Sequence, residues 1–189
     1  ADLELETVSG SVRATNCEGA IEARSTSGSV KVLQSKGDVK AETVSGSVEV
    51  EGDFSEVEAK SASGSVRVKT VRDEVRAASI SGSVEVEGVA PRDVDCESNS
   101  GSVSYTGGLA PNAKLHASTH SGSVRLSLPA DVSARVHAET FSGGINNGIN
   151  GVEAVRQKFG PGASLDTKFG DGSADINASA FSGGVTITT

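Results

Sequence analysis

Residues 39–50 read Val39-Lys40-Ala41-Glu42-Thr43-Val44-Ser45-Gly46-Ser47-Val48-Glu49-Val50, and this stretch decides the fold. Val39 and Ala41 alternate with the charged Lys40 and Glu42. Period two is the signature of a strand with one buried face, and Val and Thr suit such a strand. After Ser45-Gly46-Ser47 the alternation resumes at Val48 and Val50 with its parity shifted by one. A corner therefore sits at Gly46, where a residue without Cβ takes positive φ freely.

The same pattern fills the chain. Ser-Gly-Ser-Val recurs around Gly10, Gly28, Gly46, Gly64, Gly82, Gly101 and Gly122, and the variants Ser-Gly-Gly-Ile and Ser-Gly-Gly-Val carry Gly143 and Gly183. The spacings are 18, 18, 18, 18, 19, 21, 21 and 40, so the last interval is a unit with an insertion. Aligned on this glycine, the position seven before it is always Leu, Ile or Val (Leu3 through Ile176). The position five before it is mostly Ala, with Leu5 and Cys96 as variants. The five to nine residues between the paired strands of successive units are rich in Gly, Asp, Ser and Pro and read as turns.

A unit of two or three short strands cannot bury its own apolar side, but stacked units do. The sequence therefore predicts an all-β fold. The expected form is a single-stranded parallel β-helix (a β-solenoid) of about nine coils of 18–21 residues, taken as right-handed. With strands about 4.8 Å apart the rod is roughly 40 Å long. Residues 1–189 read as one solenoid domain. Residues 148–172, with Lys-Phe-Gly at 158–160 and 168–170, are expected as an inserted hairpin or extended coil projecting before the last coil.

Composition agrees. Aromatic residues make up 3%, Tyr occurs once, and Met and Trp are absent, so the core is a narrow column of Val and Ala. The net charge of −8 argues against nonspecific nucleic-acid binding, which needs a cationic surface. No apolar run is long enough to span a membrane as a helix. The chain begins abruptly in strand-like sequence, so any signal peptide is expected to have been removed already.

The outward columns carry the candidate sites. Charges alternate in sign from unit to unit four residues before the glycine (Glu6, Arg24, Glu42, Lys60) and six before it (Glu22, Lys40, Glu58, Arg76, Asp95). Each exposed pair contributes about 0–1 kcal/mol and favours the stacking register. Two residues before the glycine, Val8, Val44, Ile80, Phe141 and Phe181 make an apolar stripe on a face that should be polar, a candidate docking stripe. The plainer reading is that the insertion folds back onto Phe141 and Phe181, or that this corner residue tucks inward. His116 and His137 occupy the same column six before the glycine, with Asp95 one unit earlier. If those units are neighbours in space, Asp95, His116 and His137 are a candidate metal site, although solvated side chains are the simpler reading and no cofactor is expected. Cys17 and Cys96 lie five units apart, beyond disulfide reach, and Cys96 reads as a small buried apolar residue.

No catalysis is expected. The serines repeat at a corner without a Gly-x-Ser-x-Gly elbow, and His-Glu-x-x-His, Cys-x-x-Cys and phosphate-binding glycine loops are absent.

The repeated Val-x-Ala-x-Thr-x-Ser-Gly-Ser-Val-x-Val, with Phe169-Gly170-Asp171-Gly172, Asp175-Ile176 and Phe181-Ser182-Gly183-Gly184-Val185-Thr186-Ile187 near the end, resembles the bacterial "putative adhesin" β-strand-repeat family, a domain of unknown function. The resemblance covers nearly the whole chain. It implies an extracellular or cell-envelope β-solenoid of bacterial origin and brings no catalytic residues with it. The leading expectation is a non-enzymatic structural, adhesin-like or scaffold module that meets a cell-surface or extracellular ligand. A second expectation is self-assembly. Coils at either end read as uncapped, and Glu4 and Glu6 of the first coil would meet Asn177 and Ser179 of the last in a head-to-tail filament. Two further alternatives are ice binding, if the Ser/Thr columns three and one before the glycine face outward, and carbohydrate binding, with Tyr105 and the phenylalanines as platforms.

Overall fold

The computed structural model describes residues 2–149, 152–156 and 161–189. All its regular structure is β, without a helix among the described residues. No helix there can cross a membrane. The chain is a β-solenoid in which equivalent strands of successive units pair in parallel, residue for residue. Leu3 pairs with Ile21, Ile21 with Val39, Val39 with Val57 and Val57 with Val75. The first seven units wind as about seven consecutive turns. Their strands before the glycine corner are Leu3–Ser9, Ile21–Ser27, the later parts of Val30–Ser45, Val48–Ser63 and Val66–Ser81, then Asp93–Ser100 and Lys114–Ser121.

The core follows from the alternation. Positions seven, five and three before the glycine, and two and four after it, point inward, so Val39, Ala41, Val48 and Val50 are all buried. Because most layers repeat the same small side chains, the core is one continuous column, widened locally by Phe54 and Tyr105. The glycine column has a stricter origin. Gly64 has φ +145°, and a Cβ there would lie 2.0 Å from the carbonyl oxygen of Gly46 in the layer beneath. The layers touch through backbone at this corner, and only a residue without a side chain lets them.

Two features depart from the sequence reading. The first concerns the turns. In three of the 18-residue units the chain stays in strand almost without interruption (Val30–Ser45, Val48–Ser63 and Val66–Ser81), with local register shifts such as those near Ser35 and Gly37. Units of equal length place every residue above its counterpart, so even corner residues find backbone partners such as Ser35–Gly52 and Lys36–Asp53. Open loops appear where the units lengthen, and these contain Pro91, Pro111 and Pro129. Proline cannot donate to a ladder.

The second concerns chain order. The last unit does not follow the insertion at the end of the rod. Its strand Ala174–Ser182 lies between Lys114–Ser121 and Ala134–Ser142, parallel to both. Val185–Thr188 likewise lies between Val124–Ser127 and Ile145–Asn147. The outermost parallel layer at that end is therefore residues 134–147. Rather than projecting, part of the insertion covers this layer. Ala163–Phe169 runs antiparallel along Ala134–Thr140 and buries Ala163, Leu165 and Phe169, and Val155–Arg156 pairs with its start. At the turn back into the slot Gly170 and Gly172 have positive φ, and the Ser133 hydroxyl accepts from the backbone N–H groups of Asp171 and Gly172 at 2.9 and 3.1 Å. The first Lys-Phe-Gly, 158–160, lies outside the described residues.

Candidate functional site

One hollow of the surface is a groove that runs along the solenoid. Its floor is the Ser/Thr column three before the glycine, which period two turns inward. Ser61, Ser79 and Ser98 each donate to the glycine carbonyl of the preceding layer (Gly46, Gly64 and Gly82) at 2.9 Å, and Thr43 and Thr119 do the same to Gly28 and Gly101. These hydroxyls are buried and committed. They form no outward array, which removes the geometry that an ice-binding face needs. One wall is the charged column (Glu6, Arg24, Glu42, Lys60, Glu97), and the other is the stripe running from Thr26 through Val44 and Ile80 to His120. The groove encloses about 730 Å³ and is continued by a second hollow of about 440 Å³ lined by Ser118, His120, Glu139, Phe141 and Phe181.

The candidate docking stripe is on the surface. Val8, Val44, Ile80, Phe141 and Phe181 are 74%, 57%, 60%, 58% and 47% exposed, so neither an inward tuck nor cover by the insertion holds. The intercalated last unit brings Phe181 between His120 and Phe141. The three rings stack at 4.7 Å with interplanar angles of 8° and 1°. Stacked rings spend their faces on one another, so they offer edges along the groove and not broad platforms. Tyr105 is no platform either: it is fully buried and its Oη donates to the Gly108 carbonyl at 2.6 Å. Burial pushes its phenol well above its ordinary range.

The charged columns pair between layers at some of the positions their alternation implies. Arg24 meets Glu42 at 3.3 Å, Lys40 meets Glu58 at 3.7 Å, and Lys31 and Arg67 meet Glu49 and Glu85 on the other strand face at 2.7 and 2.9 Å. Within layers Arg24 also binds Glu22, and Lys60 binds Glu58. Hydrogen bonds from lysine lower the Glu49 and Glu58 carboxyls below their ordinary range, Lys31 acting on the first and Lys60 on the second.

The proposed three-residue metal set is not assembled as expected. His116 and His137 are not in neighbouring layers, because Asn177 of the intercalated unit separates them. His137 is instead held by Asp166 of the covering strand (Nδ1 to Oδ1 2.5 Å) and Glu139 (Nε2 to Oε1 3.1 Å). The Asp166 hydrogen bond is the main cause of its raised pKa. Asp95 and His116 are adjacent, and Glu97 joins them. Glu97 was detectable in the sequence: it is two residues from Asp95 and so on the same strand face, but a search along one column passes over it.

Each corner glycine from Gly10 through Gly143 and Gly183 has positive φ. Cys17 and Cys96 are free. Cys96 is buried, and desolvation raises its thiol well above its ordinary range. The glycine-carbonyl hydrogen bonds of the serine column leave no nucleophile-base pair among those serines.

Comparison with known proteins adds three findings. The model of the Toastrack DUF4097 family matches residues 1–101 and 54–188. No curated protein matches the chain. A crystal structure described as "a putative cell adhesion protein" from Clostridium sporogenes aligns with 95% of this chain and 92% of that chain, at 12% identity and a TM-score of 0.37.

Proposed function

The chain belongs to the Toastrack DUF4097 family, and on that premise we propose that it is a non-enzymatic, adhesin-like scaffold of the bacterial cell surface or exterior that holds an elongated partner along its groove. The observation that carries this reading is the coincidence of a rigid floor with an exposed apolar edge. Hydroxyl-to-carbonyl bonds tie layer to layer under the groove, while Val44, Ile80 and Phe181 stand above it without burial. A surface that repeats every strand spacing suits a partner that is itself extended, since each layer offers the same small contact. A right-handed wind of the consecutive turns belongs to this reading, on the general hand of parallel crossovers.

The structure's layer order weakens one argument for the filament alternative. The strand carrying Asn177 and Ser179 is interior, so it cannot meet Glu4 and Glu6 of another copy.

The test is adhesion. Purified chain is applied to arrays of extracellular-matrix proteins, bacterial surface polymers and glycans, beside a Val44→Glu, Ile80→Glu, Phe181→Glu variant. Binding that the triple variant loses, while its circular dichroism is unchanged, supports the reading. Binding that survives all three changes, or none to any class, rejects it. Fractionation of the native host's cells tests the location.

A further inference from the structure

We propose that Asp95, Glu97 and His116 form a binding site for a borderline divalent metal ion of the zinc class. The three side chains come from two adjacent layers. Asp95 and Glu97 project from one face of Asp93–Ser100, and His116 stands directly above Asp95 on Lys114–Ser121. A carboxylate oxygen from each acid and an imidazole nitrogen all lie within 4.8 Å of one another. Ligands of one ion, each about 2.1 Å from it, lie up to about 4.2 Å apart, so closure needs only small rotations of the two exposed side chains.

An independent observation points to a cation. Asp95 Oδ1 is shielded from solvent and has no hydrogen-bond partner among the described residues. A desolvated carboxylate oxygen without a donor is unfavourable unless positive charge is brought to it. The column's alternation of sign offers Arg76 as that charge, in register one layer below. Arg76 turns instead to Glu74, at 2.7 Å. His137 does not compete for the role, since it is two layers from His116 and engaged with Asp166.

The donor set selects the ion. One imidazole with two carboxylates suits a borderline ion, whereas calcium and magnesium prefer all-oxygen shells. Three protein ligands leave one or more positions for water or for a donor from a partner. An ion here would also staple the 93–100 layer to the 114–121 layer, where the units have lengthened and Pro111 interrupts the ladder.

The test uses untagged full-length chain with ¹⁵N-labelled histidine. Zinc chloride is added while the ring resonances of His116, His120 and His137 are followed, with calcium chloride as the comparison. The expected result is saturable movement of His116 alone at one equivalent of zinc, no matching response to calcium, and a rise in the thermal midpoint. Glu97→Gln and Asp95→Asn should each weaken binding by more than about tenfold, beyond the lower bound for losing an outer-shell partner. Glu97 is exposed, so its variant keeps the test valid if Asp95→Asn fails to fold. No saturable change at His116 up to millimolar zinc overturns the proposal. So does equal response to calcium, or wild-type affinity in Glu97→Gln.

Discussion

Replacing Gly64 by alanine tests the layer contact on which the solenoid rests. The new Cβ would lie 2.0 Å from the Gly46 carbonyl oxygen and 2.5 Å from its carbon, where ordinary contact begins at 3.4 Å. The two layers must part at this corner by more than about an ångström to relieve it. Three hydrogen bonds bridge them there. The Gly46 N–H donates to the Ser63 carbonyl at 2.9 Å, the Val48 N–H to the Ser65 carbonyl at 3.0 Å, and the Ser61 hydroxyl to the Gly46 carbonyl at 2.9 Å. Lengthened by an ångström, all three leave hydrogen-bond range. At about 1 kcal/mol net each they contribute about 3 kcal/mol. A φ of +145° costs an alanine about 1–3 kcal/mol more. The expected loss is about 4–6 kcal/mol, read as the shift in urea midpoint by circular dichroism. Gly10 supplies the contrast: its φ is +118°, yet a Cβ there meets nothing within 4 Å. Gly10→Ala therefore carries the conformational part alone, about 1–3 kcal/mol. If Gly64→Ala costs less than about 2 kcal/mol, or if the two variants are equally destabilised, the backbone-contact argument is wrong.

Three other outcomes are expected. Thr43→Val keeps shape but removes the hydroxyl that donates to the Gly28 carbonyl at 2.9 Å, so it should lose about 1–2 kcal/mol while Thr43→Ser stays within about 0.5 kcal/mol of the parent, by urea unfolding. Leu165→Asp places a charge in the buried face of the covering strand and should undock it, exposing the Ala134–Thr140 edge. Light scattering should then show concentration-dependent assemblies that the parent lacks. The His137 imidazole, raised in pKa by Asp166 first and Glu139 second, stabilises the covering strand when protonated. That contribution is full below the free value of about 6.5 and fades as pH rises through the raised folded value, so amide exchange across 163–169 should be faster, relative to intrinsic rates, at alkaline than at mildly acidic pH. Asp166→Asn should flatten the difference.

How far the sequence could be read depends on which interactions are periodic. The alternation around Gly46 marked the buried positions of the strands on either side of the corner, and the glycine column marked the layer contacts at that corner, because identical units make the same choice each time. Phe54 and Val71, buried in strands within segments that read as turns, carry no such mark. Surface exposure of Val44 and Ile80 followed from the same parity. The aromatic stack did not. His120 and Phe181 are 61 residues apart, and nothing local states that they occupy neighbouring layers. The metal set failed for the same reason at His137 and gained Glu97 once side-chain distances were known.

Local chemistry alone thus determined the β-solenoid, its Val/Ala core and the residues on each face. Period and parity are properties of the backbone and need no knowledge of what lies above or below. The order of the layers was decided only in three dimensions. A unit carrying the shared pattern pairs acceptably with any other, so the pattern cannot say that residues 174–189 enter between units that precede them. That choice rests on the nonrepeating segment, whose Leu165 and Phe169 bury themselves against the 134–142 strand and leave the last unit a single slot.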